Sequence, residues 1–298
     1  MLRKLLAAAA VLMATATAPA LASAGQPTVR VCTGKTDGNY HFAGIQFAQQ
    51  ARGVLNVVLV PTEGSLDNLA KLDKGECDTA IVQSDAYTVY AKQNPQSALT
   101  IERGRALYQE YLHLICNTNA GISKITQLTN RHTVLVGPNG GGSAVTWASF
   151  VLADKKRYER IPTRPVGGVR ALNMVQEGSD ASCMLFVAGL RAPSLMEANA
   201  VAATSNGRLA LIAADDSDMP SVKDPRGRSM YTKVTIPGGT YKNLQSGFFS
   251  SSVDTIAVEA LIVANTSFVE QNEGAYNALL RAVNNSIPAI NNRLTGAR

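Results

Sequence analysis

Thr33-Gly34-Lys35-Thr36-Asp37-Gly38-Asn39-Tyr40 is answered 103 residues later by Val136-Gly137-Pro138-Asn139-Gly140-Gly141-Gly142-Ser143. At that offset Gly34 falls on Gly137, Gly38 on Gly141, Gly64 on Gly167 and Gly75 on Gly178, while Phe47 meets Phe150 and Leu69 meets Leu172. Glycine stands where a backbone turns sharply or approaches another group closely, so shared glycines imply shared turns and not just shared composition. The chain reads as a gap-free internal duplication.

Each copy begins with a β-rich run (Val29 to Thr33; Thr133 to Val136), turns through glycines and enters a helical stretch, after which a second β run and helix follow. In the first copy Leu66, Leu69, Ala70 and Leu72 form the apolar face of a helix that stops at Lys74-Gly75. In the second, Val169, Leu172 and Val175 are expected to do the same before Gly178. The nearly continuous apolar runs Thr79 to Val82 and Ser182 to Val187 suit parallel strands covered on both faces. Two β-α-β-α-β units predict an α/β fold of two lobes, each a mostly parallel sheet flanked by helices. We place lobe one at residues 27–116 plus 252–298 and lobe two at 117–251, because the late β-rich run Thr255 to Ala264 needs a sheet to join.

In open parallel sheets ligands bind beyond the carboxyl ends of the strands, where both glycine-rich turns lie. Each turn opens a helix, so free N–H groups and the positive end of a helix dipole point toward a shared cleft, which favours an anionic ligand. Other readings of the turns fail. A phosphate-binding P-loop at Gly34-Lys35-Thr36 needs a glycine five residues earlier, where Val29 stands. No Gly-x-Ser-x-Gly elbow occurs, and His41, His113 and His132 are too dispersed for a local metal motif. Neither catalytic residues nor a metal or cofactor are expected.

Arg3 and Lys4, the apolar run Leu5 to Ala14 and Ala22-Ser23-Ala24 form the pattern of a secretory signal peptide over residues 1–24, cleaved after Ala24. Cleavage lowers the formal charge from +6 to +4 and leaves a chain expected to be periplasmic, without membrane insertion. The one dense basic cluster, Lys155-Lys156-Arg157 with Arg160, lacks interleaved aromatics and reads as a solvated helix face, so nucleic acid is not expected as a partner. Cys32, Cys77, Cys116 and Cys183 would meet an oxidising compartment, where an even count permits disulfides without specifying them. Cys32 ends one strand and Cys77 precedes another. In aligned parallel strands they would lie about 17 Å apart, so this pair is expected to be unbonded.

At these same residues the chain resembles the TAXI family, the solute receptors of tripartite ATP-independent periplasmic (TRAP) transporters. Thr33 to Tyr40, Gly64-Ser65-Leu66-Asp67-Asn68-Leu69, Val82-Gln83-Ser84-Asp85, Leu107 to Gly121, Val136 to Ser143 and Ile236-Pro237-Gly238-Gly239-Thr240-Tyr241 follow the order of that family's motifs. The resemblance implies a periplasmic-binding-protein-like fold of type II and a receptor for a small organic acid or amino acid, similar to glutamate or 2-oxoglutarate. The receptor would hand its ligand to the membrane permease subunits of a TRAP transporter. A ligand-sensing module and an enzyme on the same scaffold are the alternatives. Lys35 and Asp37 stand where the family has glycines, which leaves the ligand open. The expected ligand-binding residues are Gly34, Thr36, Asp37, Gly38, Asn39 and Tyr40 of the first turn, Gln83 and Ser84 at the end of the third strand, Gly140, Gly141, Gly142 and Ser143 of the second turn, and Tyr241. Asp85 reads either as a contact for a ligand ammonium or as the cap of the helix that follows.

Overall fold

The 103-residue offset is reproduced in three dimensions, helix for helix. The structure, a computed structural model, describes residues 25–97, 101–224, 226–245 and 251–295; the signal-peptide segment 1–24 lies outside them. Helix α1 (Asn39–Gln50) and helix α4 (Gly142–Ala153) start and stop at equivalent positions, as α2 (Ser65–Asp73) and α6 (Gly168–Glu177) do to within one residue. Gly38 and Gly141 are the N-caps of α1 and α4, and their N–H groups donate to Lys35 O (2.9 Å) and Pro138 O (3.0 Å), again 103 residues apart. Gly64 and Gly167 cap α2 and α6. Gly75 and Gly178 end those helices at φ of +71° and +74°, a left-handed turn that a side chain would strain. Within α6 the buried stripe is Ala171, Leu172 and Val175, and Val169 is 47 % exposed. The expected apolar face was thus rotated by one residue type: the short alanine packs inward where valine was anticipated.

Strands β1 (Thr28–Cys32), β2 (Asn56–Val60) and β3 (Thr79–Gln83) run parallel in the order β2-β1-β3, and β5 (Val134–Leu135), β6 (Thr163–Arg164) and β7 (Cys183–Ala188) repeat this as β6-β5-β7. Two long strands join the halves. The last, β10 (Val253–Asn265), lies antiparallel between β3 and β4 (Ile101–Asn117), and the far end of β4 lies antiparallel to β7. Short strands β8 (Leu209–Ile212) and β9 (Thr232–Ile236) pair with β4 and β10. At about 3.3 Å per residue the 17-residue β4 is long enough to serve both halves. The result is a two-lobed α/β fold whose lobes share their connecting strands.

Both faces of each half are covered. In the first, Val29, Val31 and Ile81 meet α1 and the C-terminal helix α9 (Glu273–Thr295), while the alternate residues Cys32, Ala80 and Val82 meet α2. In the second, Val134 and Leu185 face Trp147 and Phe150 of α4, and Leu135 and Met184 face α6 and α7 (Pro193–Thr204). Period-two alternation with two apolar faces is what a buried parallel sheet requires. Asn68 of α2 ties this sheet to its helix. Fully buried, it donates to Thr33 O and to Ile81 O (2.6 Å) and accepts from the Thr62 hydroxyl. Asn68→Leu orphans both carbonyls and is expected to cost roughly 2–4 kcal/mol; urea denaturation that showed no loss would mean water replaces the amide.

The cysteines correct one expectation. Cys32 is bonded to Cys77, with Cα atoms 5.8 Å apart, and Cys116 to Cys183, directly opposite on β4 and β7. The expected separation of the first pair assumed strands starting level. They are staggered instead: Cys32 pairs with Ala80, the second residue of β3, so the end of β1 lies beside the start of β3. Cys77, leaving the turn at Gly75, lies in the same apolar layer as Cys32.

Candidate binding cleft

The first turn carries the chain from β1 into α1. Lys35, Thr36 and Asp37 are exposed, and Lys35 pairs loosely with Glu63 (3.9 Å). Gly34 is buried against the Tyr40 ring, and Gly38 caps the helix. Asn39, the first residue of α1, is 9 % exposed, and neither atom of its amide has a hydrogen-bond partner. The Tyr40 hydroxyl donates to Glu110 Oε2 (2.9 Å) and lies 3.5 Å from Ser65 Oγ, which in turn accepts from the Gln83 N–H (3.0 Å).

The second turn does not sit on the first; it sits on Gly64, Leu66 and Gln83 of lobe one. A Cβ placed on Gly140 would lie 3.8 Å from Leu66, and one on Gly64 would lie 4.0 Å from Gly141 Cα. At Gly142 it would lie 1.4 Å from Gln83 Oε1, so the carboxamide occupies the space that only a glycine leaves. Gln83 is 2 % exposed and its side-chain Nε2 and Oε1 are both unpartnered. Leaving such a group dry and unpaired costs about 1–3 kcal/mol. Ser143 is turned inward, accepting from the Val187 N–H (3.1 Å). Gly167 lies beneath this turn: a Cβ there would meet Gly137 Cα and Pro138 Cδ at 3.3 Å. The offset explains it, since Gly64 and Gly167 cap equivalent helices at the carboxyl end of each sheet.

Ser84 lines a cavity of about 180 Å³ beside the connecting strands, with Thr88, Gln109, Thr232 and Glu259. Tyr241 stands apart, within the lobe-two core. Its hydroxyl meets His113 Nε2 (3.0 Å) and accepts from the Arg191 N–H (3.2 Å). Burial pushes His113 down to about 4, so that imidazole is neutral.

Asp85 was singled out in the sequence without its partners, and Ser65 and Glu110 were missed as site residues. Asp85, in the first turn of α3 (Ser84–Gln93), is fully buried and spans the lobes: it accepts from its neighbour Ala86 N–H (2.7 Å), Thr146 Oγ1 of α4 (2.8 Å) and the Tyr231 hydroxyl (2.7 Å). Burial raises its carboxyl and these donors oppose the rise. Ser65 bridges Gln83 and Tyr40. Glu110, 4 % exposed on β4, is pushed up to about 8, chiefly by burial, with the Tyr40 hydrogen bond opposing and the Asp85 charge adding. A lone acid inside the apolar run Leu107 to Cys116 was the available signal.

The folded chain therefore holds the Glu110 proton more tightly than the unfolded chain does. The resulting stability is fully present below the ordinary value of 4.5 and is lost as pH rises through about 8. The loss is on the order of 4 kcal/mol. Urea denaturation between pH 5 and 9 is expected to show this decline in the wild type and to show it flattened in Glu110→Gln; parallel profiles would place the proton elsewhere.

Residues 31–292 match the NMT1-like family. The chain belongs to that family. Solved structures similar to this NMT1-like chain share its fold at low identity. The GluR0 ligand-binding core from Nostoc punctiforme, in complex with L-glutamate, aligns at a TM-score of 0.51 and 13 % identity over 89 % of this chain and 98 % of that one. An ancestral arginine-binding protein bound to arginine aligns at 0.53 and 11 % over 90 % and 98 %. A Candida albicans gene product, described as defining a new family with the generic periplasmic binding protein fold, aligns at 0.52 and 14 % over 91 % and 74 %. The NMT1-like chain thus has the periplasmic-binding-protein fold.

Proposed function

We propose that this chain is a periplasmic solute receptor that closes its two lobes, residues 27–116 plus 252–298 and residues 117–251, around a small organic acid or amino acid. The observation that carries this reading is Gln83: a buried carboxamide, unpartnered at both ends, pressed on the backbone of Gly142 from the other lobe. A protein interior rarely tolerates such a pair of empty hydrogen-bonding positions. Here it lies where the N-terminus of α4 meets those of α2 and α3, none of them carrying a side-chain cap. Asn39 repeats the pattern at the start of α1.

Closure is then a hinge motion in β4 and β10, and ligand favours the closed form only by binding it more tightly. The Asp85 contacts to Thr146 and Tyr231 act as a clasp across the same gap. Similarity to the glutamate and arginine complexes supports a ligand of amino-acid size. The motif order supports delivery to a TRAP-type permease after removal of residues 1–24. Native mass spectrometry of the mature chain, with small-angle scattering, tests the reading. Pooled amino acids and organic acids should yield a one-to-one adduct, a more compact particle, and ligand recovered chemically unchanged. An unaltered mass and shape with every pool would refute it, and recovery of a converted product would make the chain an enzyme.

A further inference from the structure

We propose that the cleft selects a ligand carrying a cationic group, an amine or guanidine, with Glu110 as its counter-charge, and discriminates against simple carboxylates. This deepens the solute-receptor reading and rests on it.

The charge inventory of the interior points this way. Among the described residues the buried ionisable side chains other than tyrosines are Asp85, Glu110, His113 and Asp216; no lysine or arginine is buried. Asp216 has its cation, Arg157 Nη1 at 3.1 Å, and His113 is neutral beside the Tyr241 hydroxyl. Asp85 and Glu110 are met only by hydroxyl and backbone donors; Asp85 reaches Thr146 and Tyr231 across the junction of the lobes, and Glu110 is held by Tyr40 on the lobe-one side of it. A buried carboxyl without a cation must keep a proton or acquire a positive partner. A carboxylate ligand would find, among the described residues, no buried cation to receive it.

Gln83 ties the acid to the ligand position independently. Its free carboxamide lies against Gly142, its N–H holds Ser65, and Ser65 lies beside the Tyr40 hydroxyl that donates to Glu110. The residue whose carboxamide is free thus also starts, through its backbone N–H, a short polar path that ends on Glu110. An ammonium or guanidinium there replaces the Glu110 proton, which leaves to solvent, so charge balances without a further reactant. The ionisable groups around Glu110 are Tyr40 from α1, Tyr108 from its own strand and Asp85 from α3. Arg293 of α9 acts on Tyr108, and the opposite residue on β10, Val258, is apolar. Because Glu110 keeps its proton up to about pH 8 in the empty protein, affinity for a cation should rise by up to tenfold per pH unit below that value and level off above it.

The test uses the mature chain and three pools: amino acids with diamines and agmatine; two- to six-carbon mono- and dicarboxylates with their 2-oxo acids; and neutral sugars and polyols. Thermal shift is expected with the first pool alone. Calorimetry of its active component at pH 7 in buffers of different ionisation enthalpy should show proton release. Glu110→Gln should bind at least tenfold more weakly and lose the pH dependence. Tyr40→Phe, which keeps the carboxyl, serves if that variant fails to fold and should retain the cation preference. A shift with the acid or neutral pool alone, or cation binding in the wild type without proton release, overturns the proposal while leaving the receptor reading in place. No shift with any pool overturns both.

Discussion

Gly142→Val is expected to bind ligand at least thirtyfold more weakly than the wild type while melting within a few degrees of it. Gly142 opens α4, so its backbone accepts a side chain as far as φ is concerned. The obstacle is across the cleft: the new Cβ would fall 1.4 Å from Gln83 Oε1. In the closed form either Gln83 leaves its place or the lobes stay apart, and a penalty of about 2 kcal/mol already gives thirtyfold. With the lobes apart, valine meets only solvent, and the fold is spared. Gly167→Val is the contrasting case. It pushes on Gly137 and Pro138 from within lobe two, so both affinity and melting temperature should fall. Calorimetry beside melting curves separates the two, and wild-type affinity in Gly142→Val would place the second turn away from the ligand.

Loss of the disulfides should produce the largest change in stability. The bridges close segments of 45 and 67 residues, and the chain-entropy relation assigns about 4 kcal/mol to each, with typical measured values of about 2–4 kcal/mol. Cys32→Ser with Cys77→Ser loosens β1 against β3. Cys116→Ser with Cys183→Ser frees β7 from the connecting strand β4 and should also weaken coupling between the lobes. Urea denaturation of the two double variants is the measurement; midpoints equal to the wild type would mean that the surrounding apolar layers alone fix these strands.

Much of the fold was legible because glycine reports backbone geometry directly. Four paired glycines placed the caps of α1, α2, α4 and α6, and the boundaries followed. The stagger of β3 against β1 was not legible, since a single sequence carries no record of register, and the Cys32–Cys77 bridge was misjudged for that reason alone. Of the expected site residues, Gln83 and Gly142 meet between the halves and Tyr40 reaches Ser65 and Glu110, whereas Lys35, Thr36 and Asp37 face solvent and Tyr241 is held in a core. Glu110 and the Asp85 clasp escaped because their partners lie 70 and 146 positions away, beyond any local motif.

The strand made last is the one on which both halves depend. Synthesis runs at about 5–20 residues per second, so β10 follows the end of β4 by 136 positions and a wait on the order of ten seconds. Until then β3 and β4 carry open edges that can pair with the wrong chain, and α1 lacks the C-terminal helix that covers it. A chain cut short before Val253 has no way to finish either sheet. Such fragments are candidates for proteolysis or aggregation, because the strand that joins the two halves is made only after both of them.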